Sequence, residues 1–141
     1  MMILIYFIVA VIAWLLFKFI YANVKHKKKI IAQGGIKTIY KGLIDGLLAY
    51  RSARIIQNNI LFVTIGGTFV DPIFNRVCGK WSVIIQPTFN ILNVKYQAYT
   101  DLGGGETAKK TWDFPTNMNQ EEILAIIKRE ADKWNEYGIF K

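Results

Sequence analysis

The sequence contains few of the residues that most often carry chemistry or covalent cross-links. Its 141 residues include one cysteine, one histidine and three prolines. A lone cysteine cannot form a disulfide within the chain, which excludes a disulfide-stapled fold. A lone histidine leaves little of the commonest route to acid–base catalysis at neutral pH. With 52% hydrophobic residues the chain is not disordered, and its length excludes a multidomain enzyme with a large cleft.

Acidic residues are absent from the first part of the chain, and this decides how the net charge is interpreted. The formal net charge of +8 would by itself suggest a nucleic-acid partner. Residues 1–41, however, contain seven lysines and no acid, whereas residues 42–141 contain eleven basic and ten acidic residues. Nucleic-acid binding requires a basic face on the folded domain, and the second count leaves little charge for one. We therefore predict no nucleic-acid partner.

The longest hydrophobic run lies at the N-terminus. Residues 1–24 contain only Lys18 and Asn23 outside the apolar and aromatic set. A helix of twenty residues is about 30 Å long, which matches the thickness of the bilayer core. Lys18 lies near the end of the run, where its long stem lets the ammonium group reach the headgroups. We predict one transmembrane helix over residues 1–24.

Basic residues follow this hydrophobic run, and none precedes it. The cluster comprises Lys25, Lys27, Lys28 and Lys29. By the positive-inside rule, the N-terminus lies outside and the C-terminal domain lies in the cytoplasm. We predict that these lysines and Lys18 lie at the membrane surface, where they attract anionic lipids or serve only to orient the helix. A cleaved signal peptide, the competing interpretation, requires basic residues before the run and small residues at a cleavage site.

The chain after the hydrophobic run divides at a pair of glycines. Residues 25–35 are interpreted as a basic juxtamembrane segment and linker that ends at Gly34-Gly35. Residues 36–141 are interpreted as a small cytosolic α+β domain, which begins with an amphipathic helix because apolar residues recur at helical spacing. The members of this stripe are Ile36, Ile39, Tyr40, Leu43, Ile44, Leu47 and Leu48.

The hydrophobic period then changes to two, which predicts about five antiparallel strands. They cover residues 54–57, 60–65, 80–86, 91–99 and 106–114, and residues 68–70 are interpreted as a further short strand. Asn58-Asn59 is interpreted as a tight hairpin turn, and Gly66-Gly67 as the end of the second strand. A final amphipathic helix begins at Asn119 as N-cap and ends at Gly138. Because each element has one apolar face, the predicted fold is a two-layer sandwich with both helices on the same side of the sheet.

Two glycines lie four residues apart in the first helix of the domain. Gly42 and Gly46 each lower helix propensity by about 1 kcal/mol relative to alanine. Since both flank the apolar stripe, we interpret them as small residues tolerated on the exposed side. Close packing against another backbone is the alternative.

No group of residues forms a recognisable catalytic or metal-binding motif. His26 stands among lysines and is interpreted as a solvated ring. Cys78 has no second cysteine for a metal site and no histidine in the domain to activate it, which favours a buried structural thiol. Asp101 and Glu106 bracket Gly103–Gly105, which is interpreted as a flexible hairpin tip rather than a cation site. We therefore predict a protein without enzymatic activity, metal or cofactor.

One face of the predicted sheet is polar and carries an aromatic side chain, which suits a partner or an additional strand. The residues of this face are Lys95, Gln97, Tyr99, Lys109 and Thr111. The leading hypothesis is a membrane-anchored interaction or assembly module that binds another protein or a second copy of itself. The alternative is a tethered binder of a lipid or other apolar ligand between helix and sheet, in a cavity of several hundred cubic ångströms. Such a cavity would be lined by Leu47, Trp81, Val83 and Trp112.

Overall fold

The computed structural model of the chain describes residues 1–71, 73–101 and 107–133. The helices are α1 (Met2–Ala32), α2 (Ile36–Ile39), α3 (Lys41–Leu48) and α4 (Gln120–Asp132). The strands are β1 (Arg54–Asn58), β2 (Val63–Val70), β3 (Val77–Pro87), β4 (Ile91–Thr100) and β5 (Thr107–Pro115). This arrangement confirms the predicted α+β class, with a long apolar helix followed by an antiparallel sheet of five strands and a last helix.

Helix α1 continues beyond the predicted membrane segment. The basic residues after position 24, expected to belong to a linker, are helical up to Ala32, because no helix-breaking residue occurs before Gly34. Gly34 and Gly35 adopt φ angles of 91° and 86°, which a helix cannot continue. Ile30, with 4% of its surface exposed, packs into the core of the domain. The helix is long and apolar enough to cross a membrane, and the rest of the described chain buries none of its apolar window.

The five strands form a meander in the order β1-β2-β3-β4-β5 with antiparallel neighbours. Strand β2 passes through Gly66 and Gly67, so the expectation that the strand ends there is wrong, and the segment at 68–70 is its continuation. The glycines serve packing instead of chain reversal. A Cβ at Gly67 would lie 2.8 Å from Nε1 of Trp81, its cross-strand partner, so only glycine leaves room for the indole.

The hairpin between β1 and β2 is confirmed, but its turn is longer than predicted. Asn58 belongs to β1 and pairs with Val63, which leaves residues 59–62 as the loop. Oδ1 of Asn59 accepts hydrogen bonds from the backbone N–H groups of Leu61 and Phe62 at 2.8 and 2.9 Å. The asparagine therefore shapes this loop through its side-chain oxygen, as in an Asx turn.

The helices cover one face of the sheet. The predicted apolar stripe is buried or half-buried, although the chain breaks at Tyr40 into α2 and α3. The inward residues of the sheet meet α3 and α4 in one core that contains Leu43, Ile44, Leu47, Val63, Ile65, Trp81, Val83, Ile85, Val94, Tyr96, Ile123 and Ile127. Asn119 caps α4 by accepting from the N–H of Glu121 at 2.9 Å. The residues predicted to continue and end this helix, Trp134 and Gly138, lie outside the described residues.

The interpretation of the two glycines in α3 as residues tolerated on the exposed side is confirmed for Gly42, which is exposed, and is wrong for Gly46, which is half-buried. A Cβ at Gly46 would clash with the side chain of Leu124 on α4, and one at Gly42 would lie 3.3 Å from Oε1 of Gln120. Gln120 also accepts from the N–H of Leu43 at 3.0 Å and donates to the carbonyl oxygen of Ile39 at 2.8 Å. Close packing of α3 against α4, the alternative interpretation, accounts for Gly46.

We expect the substitution Gly46→Ala to destabilise the domain even though alanine is the better helix former. Overpacking against Leu124 costs about 1–3 kcal/mol, which exceeds the gain of about 1 kcal/mol in helix propensity. Thermal unfolding of the detergent-solubilised chain, followed by tryptophan fluorescence, should show a midpoint lowered by several degrees. Asp45→Ala, at an exposed neighbouring position, is the control and should change the stability little.

The double variant G46A/L124A identifies the cause of this loss. Removing the leucine side chain relieves the clash, so the double variant should be more stable than the sum of the two single effects predicts. Additive losses, or a G46A variant as stable as the wild type, would contradict the packing explanation.

Candidate functional site

The face of the sheet opposite the helices is uncovered by the described residues. Along β4 and β5 the side chains that point away from the core fall into cross-strand pairs. Lys95 lies opposite Thr111, Gln97 opposite Lys109, and Tyr99 opposite Thr107. Tyr99 is 42% exposed. The structure therefore brings all five residues of the predicted partner face together on one surface, which we call the outer face.

The outer face is concave and forms a groove of about 620 Å³ that extends across all five strands. Its lining includes Arg54 and Ile56 of β1, Thr64, Gly66 and Thr68 of β2, Lys80 and Ser82 of β3, Gln97 and Tyr99 of β4, and Thr107 and Lys109 of β5. The side chain of Ile56 packs across Gly66, where a Cβ would collide with it. The absence of a side chain at Gly66 thus makes room for the side chain of Ile56.

The connection from α3 to β1 closes one end of the groove. Ser52, in a left-handed conformation with φ of 72°, lies beside the end of β2. Its Oγ donates to the carbonyl oxygen of Thr68 at 3.0 Å and accepts from the N–H of the same residue at 3.1 Å. This pair of bonds satisfies backbone groups of β2 that β1 does not reach, and it holds the rim of the groove in place.

The groove is electropositive. Arg54, Lys80 and Lys109 line it, Lys95 lies one row further along the outer face, and none of the described lining residues is acidic. Arg54, Gly66, Ser82, Gln97 and Lys109 form one continuous row across the five strands. Asp113, the acid that shares this face of β5, accepts from Nδ2 of Asn93 at 2.7 Å near the other end of the sheet. In a concave surface lined by charges of one sign, low-dielectric walls concentrate the electric field, so these basic side chains attract anions more strongly than they would on a flat surface.

Arg54 and Lys80 are site residues that the sequence interpretation missed. The net charge of residues 42–141 is close to zero because it sums over the whole domain. Several of the acids lie on α4, however, whereas several of the bases lie on the outer face. The signal that could have identified both residues is register. Lys80 alternates with the apolar residues of β3 that begin at Trp81, so it must point away from the core.

The apolar-ligand hypothesis requires a cavity between the helices and the sheet. The gap there, lined by Leu47, Trp81, Val83 and Tyr96 among others, has a volume of about 10 Å³. This is the space of one water molecule and far below the several hundred cubic ångströms of ligand sites. The gap that these residues line is therefore too small to hold a lipid or other apolar ligand.

The predicted membrane-surface residues Lys18, Lys25, Lys27, Lys28 and Lys29 are all exposed along α1. Lys18 places its Nζ 4.2 Å from the ring centroid of Trp14, a cation–π contact within the apolar run. The expectation of a solvated His26 is wrong, because its ring packs against Phe89 with centroids 5.3 Å apart and its Nε2 is buried. The ring of His26 is partly shielded from solvent because the turn between β3 and β4 packs against α1.

The remaining candidates for chemistry are isolated. Among the described residues there is no cluster of three or more histidine, cysteine and acidic side chains that could hold a metal. The glycine loop at 103–105 and Glu106 lie outside the described residues. Cys78 is buried, and burial raises the pKa of its thiol, with further increases from the charges of Asp101 and Asp71. These features are those of a structural thiol.

We expect Cys78 to react slowly with iodoacetamide in the folded protein at neutral pH. The raised pKa reduces the thiolate fraction below that of a free cysteine, and burial blocks access, so alkylation should be at least about ten-fold slower than in the unfolded chain. Intact-mass measurements over time, with and without denaturant, provide the comparison. Equal rates in the two states would contradict a buried, structural thiol.

The outer groove is the described feature on which a function can be based. It combines basic side chains, hydrogen-bonding side chains and an exposed aromatic ring on a face that the helices leave uncovered. No family model, curated protein or solved structure matches the chain.

Proposed function

We propose that this protein is a single-pass membrane-anchored interaction module without enzymatic activity, whose outer groove binds an acidic, extended segment of a partner protein in the cytoplasm. The observation that carries the proposal is the cationic groove on the uncovered face of the sheet. Cations held in one concave surface attract an anionic partner and fix its register. A second copy of the chain is the alternative source of the acidic segment, since α4 begins with Glu121 and Glu122.

The dimensions of the groove support an extended peptide as the ligand. Arg54 and Lys109 stand on the two edge strands of one row, four strand spacings apart, which is about 19 Å. A peptide in extended conformation covers that span with about six residues. Between the two cations, Ser82 and Gln97 provide hydrogen-bonding side chains, and Tyr99 provides an aromatic contact. These features suit acidic side chains at both ends of a short polar segment.

The position of the basic residues supports a cytoplasmic domain. Seven lysines and no acid occur in residues 1–41, and all but Lys18 follow the apolar run. The positive-inside rule then places the N-terminus outside and the sheet domain inside. In this orientation the lysines at 25–29 meet the anionic inner leaflet, where each contributes about 1 kcal/mol to binding.

A topology reporter fused after Lys141 tests the orientation. The proposal expects a fusion that is active only in the cytoplasm, because the juxtamembrane lysines keep the domain on that side. Moving positive charge to the other end of the run, by inserting three lysines after Met1 and replacing Lys25, Lys27 and Lys28 with glutamine, should invert the signal in part of the population. Reporter activity only outside the cytoplasm would refute the orientation.

Two neighbouring lysines of β5 allow a matched test of the groove. Lys109 lines the groove, whereas Lys110 is an exposed residue whose side chain belongs to the opposite face of the same strand. We expect K109E to weaken partner recovery by about ten-fold or more, since it replaces an attraction by a repulsion, and K110E to have little effect. The measurement is photo-crosslinking from a benzoylphenylalanine at position 97 in native membranes, followed by mass spectrometry of the product.

The crosslinked product identifies the partner class. An acidic segment of another membrane-associated protein supports the proposal, and a crosslink to a second copy supports self-assembly through the same groove. A nucleic-acid adduct that K109E removes would replace the proposed partner. Crosslinks that respond equally to K109E and K110E, or their absence in wild-type membranes, would refute the groove as the interaction site.

A further inference from the structure

One end of the sheet lies beside the juxtamembrane part of α1. The ring contact between His26 and Phe89 joins this helix to the turn between β3 and β4. Followed from the apolar run towards Ala32, α1 first meets this turn at His26 and then enters the domain core at Ile30. The turn is therefore the part of the domain nearest to the apolar end of the helix.

The height of this turn matches the headgroup layer of a bilayer. His26 follows Tyr21 by five residues, a rise of about 7.5 Å along a helix. Headgroups occupy about 5–8 Å on each side of the hydrocarbon core. If the core ends near Tyr21, as the proposed anchoring requires, Phe89 lies at the level of the headgroups.

Exposed apolar side chains gather at this same end. Phe89 and Ile91, in and after the turn, are 49% and 45% exposed. The loop between β1 and β2 lies at this end as well, because Val63 at the start of β2 pairs with Ile85 near the end of β3. In that loop Ile60 and Leu61 are 45% and 47% exposed. Two adjacent loops and the first residue of β4 thus place four large, exposed apolar residues at the same end of the sheet.

We infer that this end of the sheet, formed by residues 59–62 and 88–91, inserts its apolar side chains into the surface of the bilayer that α1 crosses. The inference rests on the proposed membrane anchoring and adds a second contact between domain and lipid. Apolar side chains in the interface together with lysines above it are the combination that holds interfacial segments on anionic membranes. This contact fixes the domain relative to the membrane, so that the outer groove stands roughly upright on the surface.

The opposite end of the sheet serves as an internal comparison. It carries Ile73 and Phe74, which are 82% and 71% exposed, in the loop between β2 and β3. Strand β3 separates the two ends by about 33 Å, so this loop cannot reach the bilayer when the other end rests on it. The far end exposes its apolar residues more fully, so the feature that distinguishes the near end is its position beside α1.

Site-specific fluorescence with the full chain tests the inference. An environment-sensitive label is attached to single introduced cysteines in the C78A background, and the chain is reconstituted in vesicles of phosphatidylcholine and phosphatidylglycerol. F89C and L61C report on the membrane-facing end, F74C on the far end, and L16C on the apolar run of α1. I91C and I60C are the second pair, used if removal of Phe89 or Leu61 disturbs folding.

Quenching by lipids that carry a spin label near the headgroup is the readout. We expect quenching at positions 89 and 61 to be several-fold stronger than at position 74, with blue-shifted emission. Equal, weak quenching at 89, 61 and 74, with strong quenching of the L16C label by lipids labelled deeper in the acyl chain, would overturn this inference and leave the anchoring intact. Failure of deep quenching at position 16 would overturn the anchoring and the inference together.

Discussion

The structure depends on the burial of one face of the sheet by α3 and α4. The inward residues of β2, β3 and β4 are almost fully buried, and both helices contribute to the same core. Removal of this apolar surface from water is the largest favourable contribution to such a fold. Since the described helices lie on one side, the described part of the chain leaves the other side of the sheet open, and the groove is a direct consequence of this two-layer packing.

The close approach of α3 and α4 determines how the helical layer is packed. Gly46 gives room to Leu124, and Gln120 bonds to backbone groups on both sides of the break at Tyr40. These bonds satisfy a carbonyl group and an N–H group that the interrupted helix would otherwise leave without partners. The break between α2 and α3 is thereby stabilised by a side chain from the other end of the chain. The local sequence around Tyr40 cannot show this stabilisation, because the side chain that provides it lies about eighty residues further along the chain.

The proposed function connects three surfaces that lie at different places in the fold. In this proposal the apolar run of α1 is the anchor, the juxtamembrane lysines and apolar loops contact lipid, and the cationic groove is open to a partner in the cytoplasm. The continuous helix through Ala32 and the burial of Ile30 join the anchor to the domain without a flexible tether. A short rigid connection restricts the orientations of the domain, which lowers the entropic cost of binding a partner on the same membrane.

Local patterns in the sequence determined the long apolar helix, the alternation that builds β3, β4 and β5, and the N-cap of α4, because these depend on periodicity and on neighbouring residues. The shared face of Lys95, Gln97, Lys109 and Thr111 followed from the same alternation, whereas their pairing across the strands is a matter of register that alternation does not fix. Only the tertiary structure decided that Arg54 and Lys80 line one groove with Lys109, that Gly66 and Gly67 continue a strand, and that His26 packs on Phe89. Each of these depends on which distant residue fills the neighbouring space, and contacts between residues far apart in the chain are set by packing rather than by local propensity.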